Sequence, residues 1–313
     1  MMKLALVFPG QGSQAVGMLK SFTESKPVRD TFAEAADILH QDLWQLAANG
    51  PADDLNSTVN TQPLMLTAGY AVYCAWREAG GAQPAMVAGH SLGEYTALVV
   101  AGVISFSDAL PLVRFRARAM QEAVPVGTGA MAAILGLDDD VVHAACLEAA
   151  QGEIVEAVNF NAPSQVVIAG HKGAVERGAA LAKAKGAKRA VMLPVSAPFH
   201  ASLLKSAALR LAQFLMDIPF NPPRIPVINN VDVATIEDPQ KIKDALARQA
   251  CNPVRWVEVI QQMAGAGVTH VTECGPGRVL AGLTRRIDGN LQSLAIADAA
   301  SLAQAMQTLH EAA

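Results

Sequence analysis

The stretch "AMVAGHSLGEYTALVVAG", residues 85–102, constrains the fold more than any other part of the chain. A short apolar run stops at Gly89, a helical run starts after Leu92, and Ser91 sits between two glycines at the joint. The pattern G-x-S-x-G in this context describes a sharp strand-to-helix elbow that pushes the serine side chain out of the strand end. Backbone approaches so closely in such a turn that only small residues fit on either side. The helix that follows aims free N–H groups at the serine, which favours a developing oxyanion, and the N–H of Leu92 is the natural donor. The competing reading of Ser91 is a plain helix N-cap. The strand before it and the helix after it favour a nucleophile.

The rest of the chain suits a large α/β core. It has 313 residues, 51% of them hydrophobic and 5% aromatic, with room for a second small domain. The abundance of alanine, leucine and valine fits helices packed on a buried parallel sheet. A net charge of −4 and a pI of about 6.0 argue against nucleic-acid binding. The four cysteines, Cys74, Cys146, Cys251 and Cys274, form no C-x-x-C pair. They read as free thiols in a reducing cytoplasm, not as disulfides or a metal site. The opening "MMKLALVFPGQG" breaks at Pro9 and Gly10, too early for a signal segment. No run approaches the ~18 apolar residues a membrane helix needs, so a soluble cytoplasmic protein is expected.

Along the chain, residues 3–8 read as a buried strand running into the loop "PGQGSQ". Helices are expected over 27–48, 62–79 and 107–124. After Pro125 the pattern changes. Strands at 130–136, 154–160, 165–170 and 189–195 alternate with helices at 138–150 and 174–186. The order β-α-β-β-α-β is the ferredoxin-like unit. The expected architecture is therefore a large α/β-hydrolase-like domain with a short parallel sheet, residues 1–125 and 197–313. A small ferredoxin-like domain, residues 126–196, is inserted into it. Segments 224–231 and 270–277 read as strands or strand ends of the large domain.

A serine hydroxyl needs a base at neutral pH, and seven histidines are available. His143 and His171 read as surface residues of the small domain, and His90 is expected to point away from its neighbour's side of the turn. His40, His270 and His310 lie in ordinary helix or strand contexts. His200 follows "LPVSAPF", where the chain re-enters the large domain, and domain junctions are common sites. On position alone it leads the others only narrowly. On the helix over 107–124, Arg116 falls in the apolar stripe while Arg114 and Arg118 fall on the opposite side. A buried guanidinium must be paired, and its fork matches a carboxylate. That acid is either internal to the protein or carried by a substrate such as a malonyl group.

Six segments together resemble the malonyl-transferring acyltransferases of fatty acid and polyketide synthesis. They are "FPGQGSQ" (8–14), "GHSLGEYTAL" (89–98), "RARAMQEAVPVGTGAMAAI" (116–134), "VNFNAPSQVVIAG" (158–170), "PVSAPFH" (194–200) and "RQACNPVRW" (248–256). The resemblance implies a ping-pong transfer of malonyl from a coenzyme A thioester, through Ser91, to the phosphopantetheine thiol of acyl carrier protein. It implies His200 as general base, the N–H groups of Gln11 and Leu92 as oxyanion hole, and Arg116 on the malonyl carboxylate. It also implies that the backbone carbonyl of Gln249 orients the histidine in place of a carboxylate. Gln62 matches a glutamine near the pocket, and Phe199 accompanies malonyl-selecting relatives, though plain core packing explains Phe199 as well. No cofactor or metal is implied, and a monomer is expected.

Asn159 and Asn161 read as turn-forming residues, and Gly275 and Gly277 as serving the backbone geometry of a strand-to-helix turn with no phosphate role. An acidic carrier protein needs a local basic patch on this acidic chain. Lys183, Lys185, Lys188 and Arg189 form one candidate, and Arg285 with Arg286 the other, against a solvated helix face as the ordinary explanation. The elbow alone does not separate transfer from hydrolysis by an esterase, or from a binding subunit that keeps the fold. Covalent loading by malonyl-CoA separates the three.

Overall fold

The computed structural model describes residues 2–195 and 197–312. The expected last residue of the small unit, 196, lies outside the described residues. In chain order the elements are β1 (Leu4–Phe8), α1 (Lys26–Leu39), α2 (Leu43–Asn49), α3 (Ala52–Asn56), α4 (Thr58–Glu78), β2 (Met86–Gly89), α5 (Gly93–Val100) and α6 (Phe106–Glu122). Then follow β3 (Gly129–Leu135), α7 (Asp139–Ala150), β4 (Val155–Ala162), β5 (Gln165–His171), α8 (Lys172–Ala184) and β6 (Arg189–Met192). The chain closes with α9 (Lys205–Met216), β7 (Val227–Ile228), α10 (Pro239–Gln249), α11 (Trp256–Gly265), β8 (His270–Cys274), α12 (Val279–Ile287), β9 (Gln292–Ile296) and α13 (Ala299–Glu311).

Two sheets result. Strands β7-β2-β1-β8-β9 form one, with every pairing parallel. It is covered on both faces, as a parallel sheet must be. Along β1, Leu4, Leu6 and Phe8 enter one core while Ala5 and Val7 enter the other. The second sheet, in the order β4-β5-β3-β6, is antiparallel and shares a third core with α7 and α8. The Phe160 N–H donates to the Val254 carbonyl at 3.0 Å and the Val254 N–H donates to the Val158 carbonyl at 2.8 Å, tying β4 to the segment before α11.

Several boundaries depart from the sequence pattern. The helix expected over 27–48 is two helices, because His40 adopts φ 51° and ends α1, and the Asp42 side chain caps α2 by accepting from the Gln45 N–H. The helix expected over 62–79 starts at Thr58 and carries Pro63 inside it. The run 224–231 contributes only Val227–Ile228 to the sheet. Pro226 precedes it, and Asn230 turns its amide to the serine elbow. The strand expected to reach residue 195 ends at Met192. Strand β9 and helices α9, α12 and α13 lie beyond the elements expected from the sequence; the "QSLAI" of β9 mixes polar and apolar residues.

Parallel pairing is what assembles the site. Phe8 lies opposite Gly89 in register, and the His90 N–H donates to the Phe8 carbonyl at 3.0 Å. The loops leaving β1 and β2 therefore emerge side by side at the carboxyl end of the sheet, where open α/β sheets bind ligands. Gln11 and Ser91 stand on those two loops.

Candidate active site

Ser91 occupies the left-handed region at φ 52°, which costs on the order of 1 kcal/mol for a non-glycine residue and persists only where surrounding structure enforces it. Close backbone packing around the elbow enforces it, and the two flanking glycines make that packing possible. A Cβ on Gly89 would lie 1.8 Å from the Gly93 carbonyl carbon, and a Cβ on Gly93 would lie 2.0 Å from the Phe8 carbonyl oxygen. Both clashes are with backbone, so nothing can move aside. The Ser91 N–H is held by Asn230 Oδ1 at 2.7 Å, and Asn230 Nδ2 donates back to the Gly89 carbonyl at 2.8 Å.

His200 Nε2 lies 2.7 Å from Ser91 Oγ, although 109 residues separate the two in sequence. Its Nδ1 lies 2.8 Å from the backbone carbonyl of Gln249, the last residue of α10. A carbonyl only accepts, so Nδ1 carries the proton and Nε2 presents its lone pair to the serine hydroxyl. Helix ends leave carbonyls without intrahelical partners, which is why Gln249 has one to offer. His200 is buried. Desolvation, then the nearby Arg116 charge, pushes its imidazole down to about 3.

Arg116 is 2% exposed. Its Nη1 donates to Gln62 Oε1 at 2.8 Å, and its Nη2 donates to Gln249 Oε1 at 2.9 Å and to Ser91 Oγ at 3.0 Å. Among the described residues no carboxylate forms an ion pair with it, and its Nε has no partner. The guanidinium lies 5.3 Å from the centre of the Tyr95 ring. A buried charge with neutral partners and no counter-ion is costly, and a ligand carboxylate arriving beside Ser91 offsets that cost.

These groups line one cavity of about 120 Å³, with Gln11, Leu92, Gln62 and Phe199 also on its wall. The backbone N–H groups of Gln11 and Leu92 donate to no protein acceptor among the described residues. A relay of side chains joins the two sides of the cavity. Gln62 Nε2 donates to Thr58 Oγ1 at 3.2 Å, and Thr58 Oγ1 donates to Gln11 Oε1 at 3.0 Å.

Other residues fall elsewhere than the sequence suggested. His90 is among the residues that line the cavity, and its ring is held by Asn161 Oδ1, 2.8 Å from its Nε2, and packs on Trp256. Asn161 is thus a side-chain partner of His90 in addition to any turn role. Asn159 also reaches the cavity wall, with its Oδ1 buried and unpartnered. Arg114 is not solvated: it donates to the Leu39 carbonyl at 3.2 Å and to Gln41 Oε1, clamping the end of α1. Arg118 is exposed. Lys185 pairs with Glu148 at 2.9 Å and Lys183 donates to the Lys188 carbonyl at 3.1 Å, so the first basic patch is exposed but partly engaged. Arg286 donates to Gln165 Oε1 and the Pro163 carbonyl, and Arg285 to the Ser293 carbonyl.

Sequence reasoning assigned no role to Asn230, Glu94 or Thr58. The available signals were polar residues inside apolar runs: the pair of asparagines after "IPVI" and the single acid in "GEYTALVV".

A family described as the acyl transferase domain matches residues 5–305. The chain belongs to that family. This acyltransferase is 56% identical over 308 residues to the malonyl CoA-acyl carrier protein transacylase of Escherichia coli K12, covering 98% of this chain and 100% of that protein. It superposes on an acyl-carrier-protein S-malonyltransferase from Burkholderia pseudomallei with a TM-score of 0.96 at 64% identity, covering 98% and 100% of the two chains. A malonyl-transacylase solved in complex with its type II polyketide acyl carrier protein matches with a TM-score of 0.96 at 52% identity, covering 98% of this chain and 99% of that one. No helix among the described residues is long and apolar enough to cross a membrane.

Proposed function

We propose that this acyltransferase moves a malonyl group from malonyl-CoA to the phosphopantetheine thiol of acyl carrier protein, serving fatty acid synthesis or a related polyketide system. The observation that carries the reading is a buried guanidinium that pairs with no acid among the described residues, 3.0 Å from a serine hydroxyl that is itself 2.7 Å from an imidazole. A dicarboxylic acyl group fits that spacing: its free acid meets the guanidinium while its thioester carbon meets the hydroxyl. The names of the relatives support the same substrate and partner.

The reaction runs in two halves. Ser91 Oγ attacks the thioester carbon as its proton passes to His200 Nε2. The carbonyl electrons move to oxygen, where the N–H groups of Gln11 and Leu92 receive the charge. The C–S bond then breaks and the thiolate of coenzyme A takes the proton from His200. In the second half the pantetheine thiol of the carrier protein gives its proton to His200 and attacks the malonyl-serine ester, and Ser91 Oγ recovers the proton. Arg116 holds the malonyl carboxylate through both halves by charge-assisted hydrogen bonds. Gln249 orients His200, Gln62 orients Arg116, and Phe199 bounds the acyl end of the cavity.

We read residues 126–196 as a ferredoxin-like unit inserted into a catalytic unit of residues 1–125 and 197–313. The strand order β4-β5-β3-β6 with its antiparallel pairing supports this. The cavity lies where the two meet. We take the active unit to be a cytoplasmic monomer working without a cofactor. The deciding experiment presents malonyl-CoA, acetyl-CoA and methylmalonyl-CoA to the purified protein, with and without carrier protein, and follows acyl-serine and acyl-carrier mass. Malonyl loading followed by transfer supports the reading. Rapid malonate release without carrier protein makes the protein a hydrolase, and no loading makes it a binder.

A further inference from the structure

Glu94 begins α5 just past the elbow and is 2% exposed. One of its oxygens, Oε2, accepts from the Asn230 backbone N–H at 2.9 Å and from Gln249 Nε2 at 2.9 Å. Both partners lead to the centre of the site. Asn230 holds the Ser91 N–H at 2.7 Å. Gln249 Nε2 donates to the Ser91 carbonyl at 3.0 Å, its Oε1 accepts from Arg116, and its backbone carbonyl accepts from His200.

The amide of Gln249 has two unlike ends, and only one orientation serves the site. Its oxygen must face the guanidinium, because an NH₂ there would oppose donor to donor. Two acceptors behind its nitrogen enforce that orientation, the Ser91 carbonyl and Glu94 Oε2, and Glu94 Oε2 is the one a side chain supplies. The result is a chain from guanidinium through amide to carboxyl. Arg116 is fixed in place without a carboxylate in contact with it, so its charge stays available to a ligand acid. The carboxyl of Glu94 itself lies outside the cavity wall, so it touches neither substrate nor reacting atoms.

We propose that Glu94 is a positioning residue of the transfer reaction, acting through Gln249 to hold Arg116 and His200 in register with Ser91. This rests on the malonyl-transfer reading above. The role is carried by the acceptor oxygen. Burial pushes the Glu94 carboxyl up to about 7, and the neutral acid keeps Oε2 as an acceptor when the proton sits on the other oxygen. An amide at the same position keeps it too.

The test measures acyl-serine formation from malonyl-CoA and from acetyl-CoA in wild type, Glu94→Gln, Glu94→Leu, Gln249→Ala and the Glu94→Leu/Gln249→Ala double variant. Leucine fills similar volume without an acceptor. Expected is a loss of ~30-fold or more in malonyl kcat/KM for Glu94→Leu, with the malonyl-to-acetyl ratio falling ~10-fold. Glu94→Gln stays within ~3-fold of wild type, and the double variant within ~3-fold of Gln249→Ala alone, since residues acting through one another are not additive. A purely structural defect lowers both donors alike and leaves the ratio unchanged, which overturns the proposal. So does an unimpaired Glu94→Leu, or losses that multiply in the double variant. If Glu94→Leu does not fold, Glu94→Gln decides: retention supports the proposal and a loss beyond ~10-fold overturns it. A wild-type protein that takes no malonyl overturns the transfer reading and this inference with it. A loading wild type beside an equally loading Glu94→Leu overturns this inference alone.

Discussion

Replacing Arg116 by alanine tests the feature that distinguishes this site from a generic serine elbow. Among the described residues the guanidinium makes three hydrogen bonds, to Gln62, Gln249 and Ser91, and no ion pair. In the free protein its removal leaves two buried amide oxygens without their donor, a destabilisation of about 1–3 kcal/mol for each one that cannot find another partner. In the malonyl complex the removal also strands a ligand carboxylate in a dry cavity. Truncating one side of such a buried charge pair costs about 2–5 kcal/mol. At about 1.4 kcal/mol per factor of ten, malonyl kcat/KM falls by roughly 30-fold to several thousand-fold. Acetyl-CoA has no acid to strand, so its loading changes far less, and the malonyl-to-acetyl ratio collapses toward one. The assay is stopped-flow or quenched-flow loading with both donors, alongside a thermal melt to separate the stability loss from the catalytic one. Equal losses for both donors at retained folding refute the assignment and leave Arg116 a structural residue.

Ser91→Ala abolishes covalent loading, read by intact-protein mass, and leaves the melt essentially unchanged; retained loading refutes the nucleophile. Gly93→Ala drives a Cβ to 2.0 Å from the Phe8 carbonyl oxygen, so the variant loses several kcal/mol of stability or does not accumulate folded, and a normal denaturation midpoint contradicts the packing described. For pH, His200 sits at about 3 in the folded state against ~6.5 unfolded. The unfolded chain binds the extra proton between those values, so His200 contributes stability that is fully present above ~6.5 and is lost as pH falls toward the folded value. Malonyl kcat/KM accordingly shows no imidazole limb between ~7 and ~5. In Arg116→Ala the acidic limb moves to higher pH, because the Arg116 charge is one of the causes of the depression; an unmoved limb refutes that coupling. Charge reversal at Lys183 and Lys185 raises the apparent KM for carrier protein and spares loading by malonyl-CoA; unchanged second-half kinetics remove that surface as the dock.

The elbow and the buried arginine were legible because both are local. Two glycines around a serine, between strand and helix, describe steric conditions that hold within five residues, and an arginine in an apolar helix stripe is visible from 3.6-residue periodicity alone. The antiparallel unit after Pro125 was visible for the same reason, through its alternation of short strands and helices. Boundaries set by single residues were not. The left-handed turn at His40 and the truncation of β7 depend on what the neighbouring chain does, and the weakly patterned β9 takes its place from β8.

The residues of this chain by themselves determine a serine elbow between strand and helix, a guanidinium in an apolar stripe and a mixed α/β frame. Only the tertiary structure brings one of seven histidines to the serine, because a 2.7 Å contact across 109 residues is a property of how distant segments of the chain pack. It places beside that histidine the Gln249 carbonyl that the resemblance implied, and it alone brings Asn230, the Gln249 side chain and Glu94 together behind the elbow. Hydrogen bonds between residues far apart in the chain have no periodicity to betray them. They exist because buried polar groups must find partners, and the fold chooses which ones come within reach.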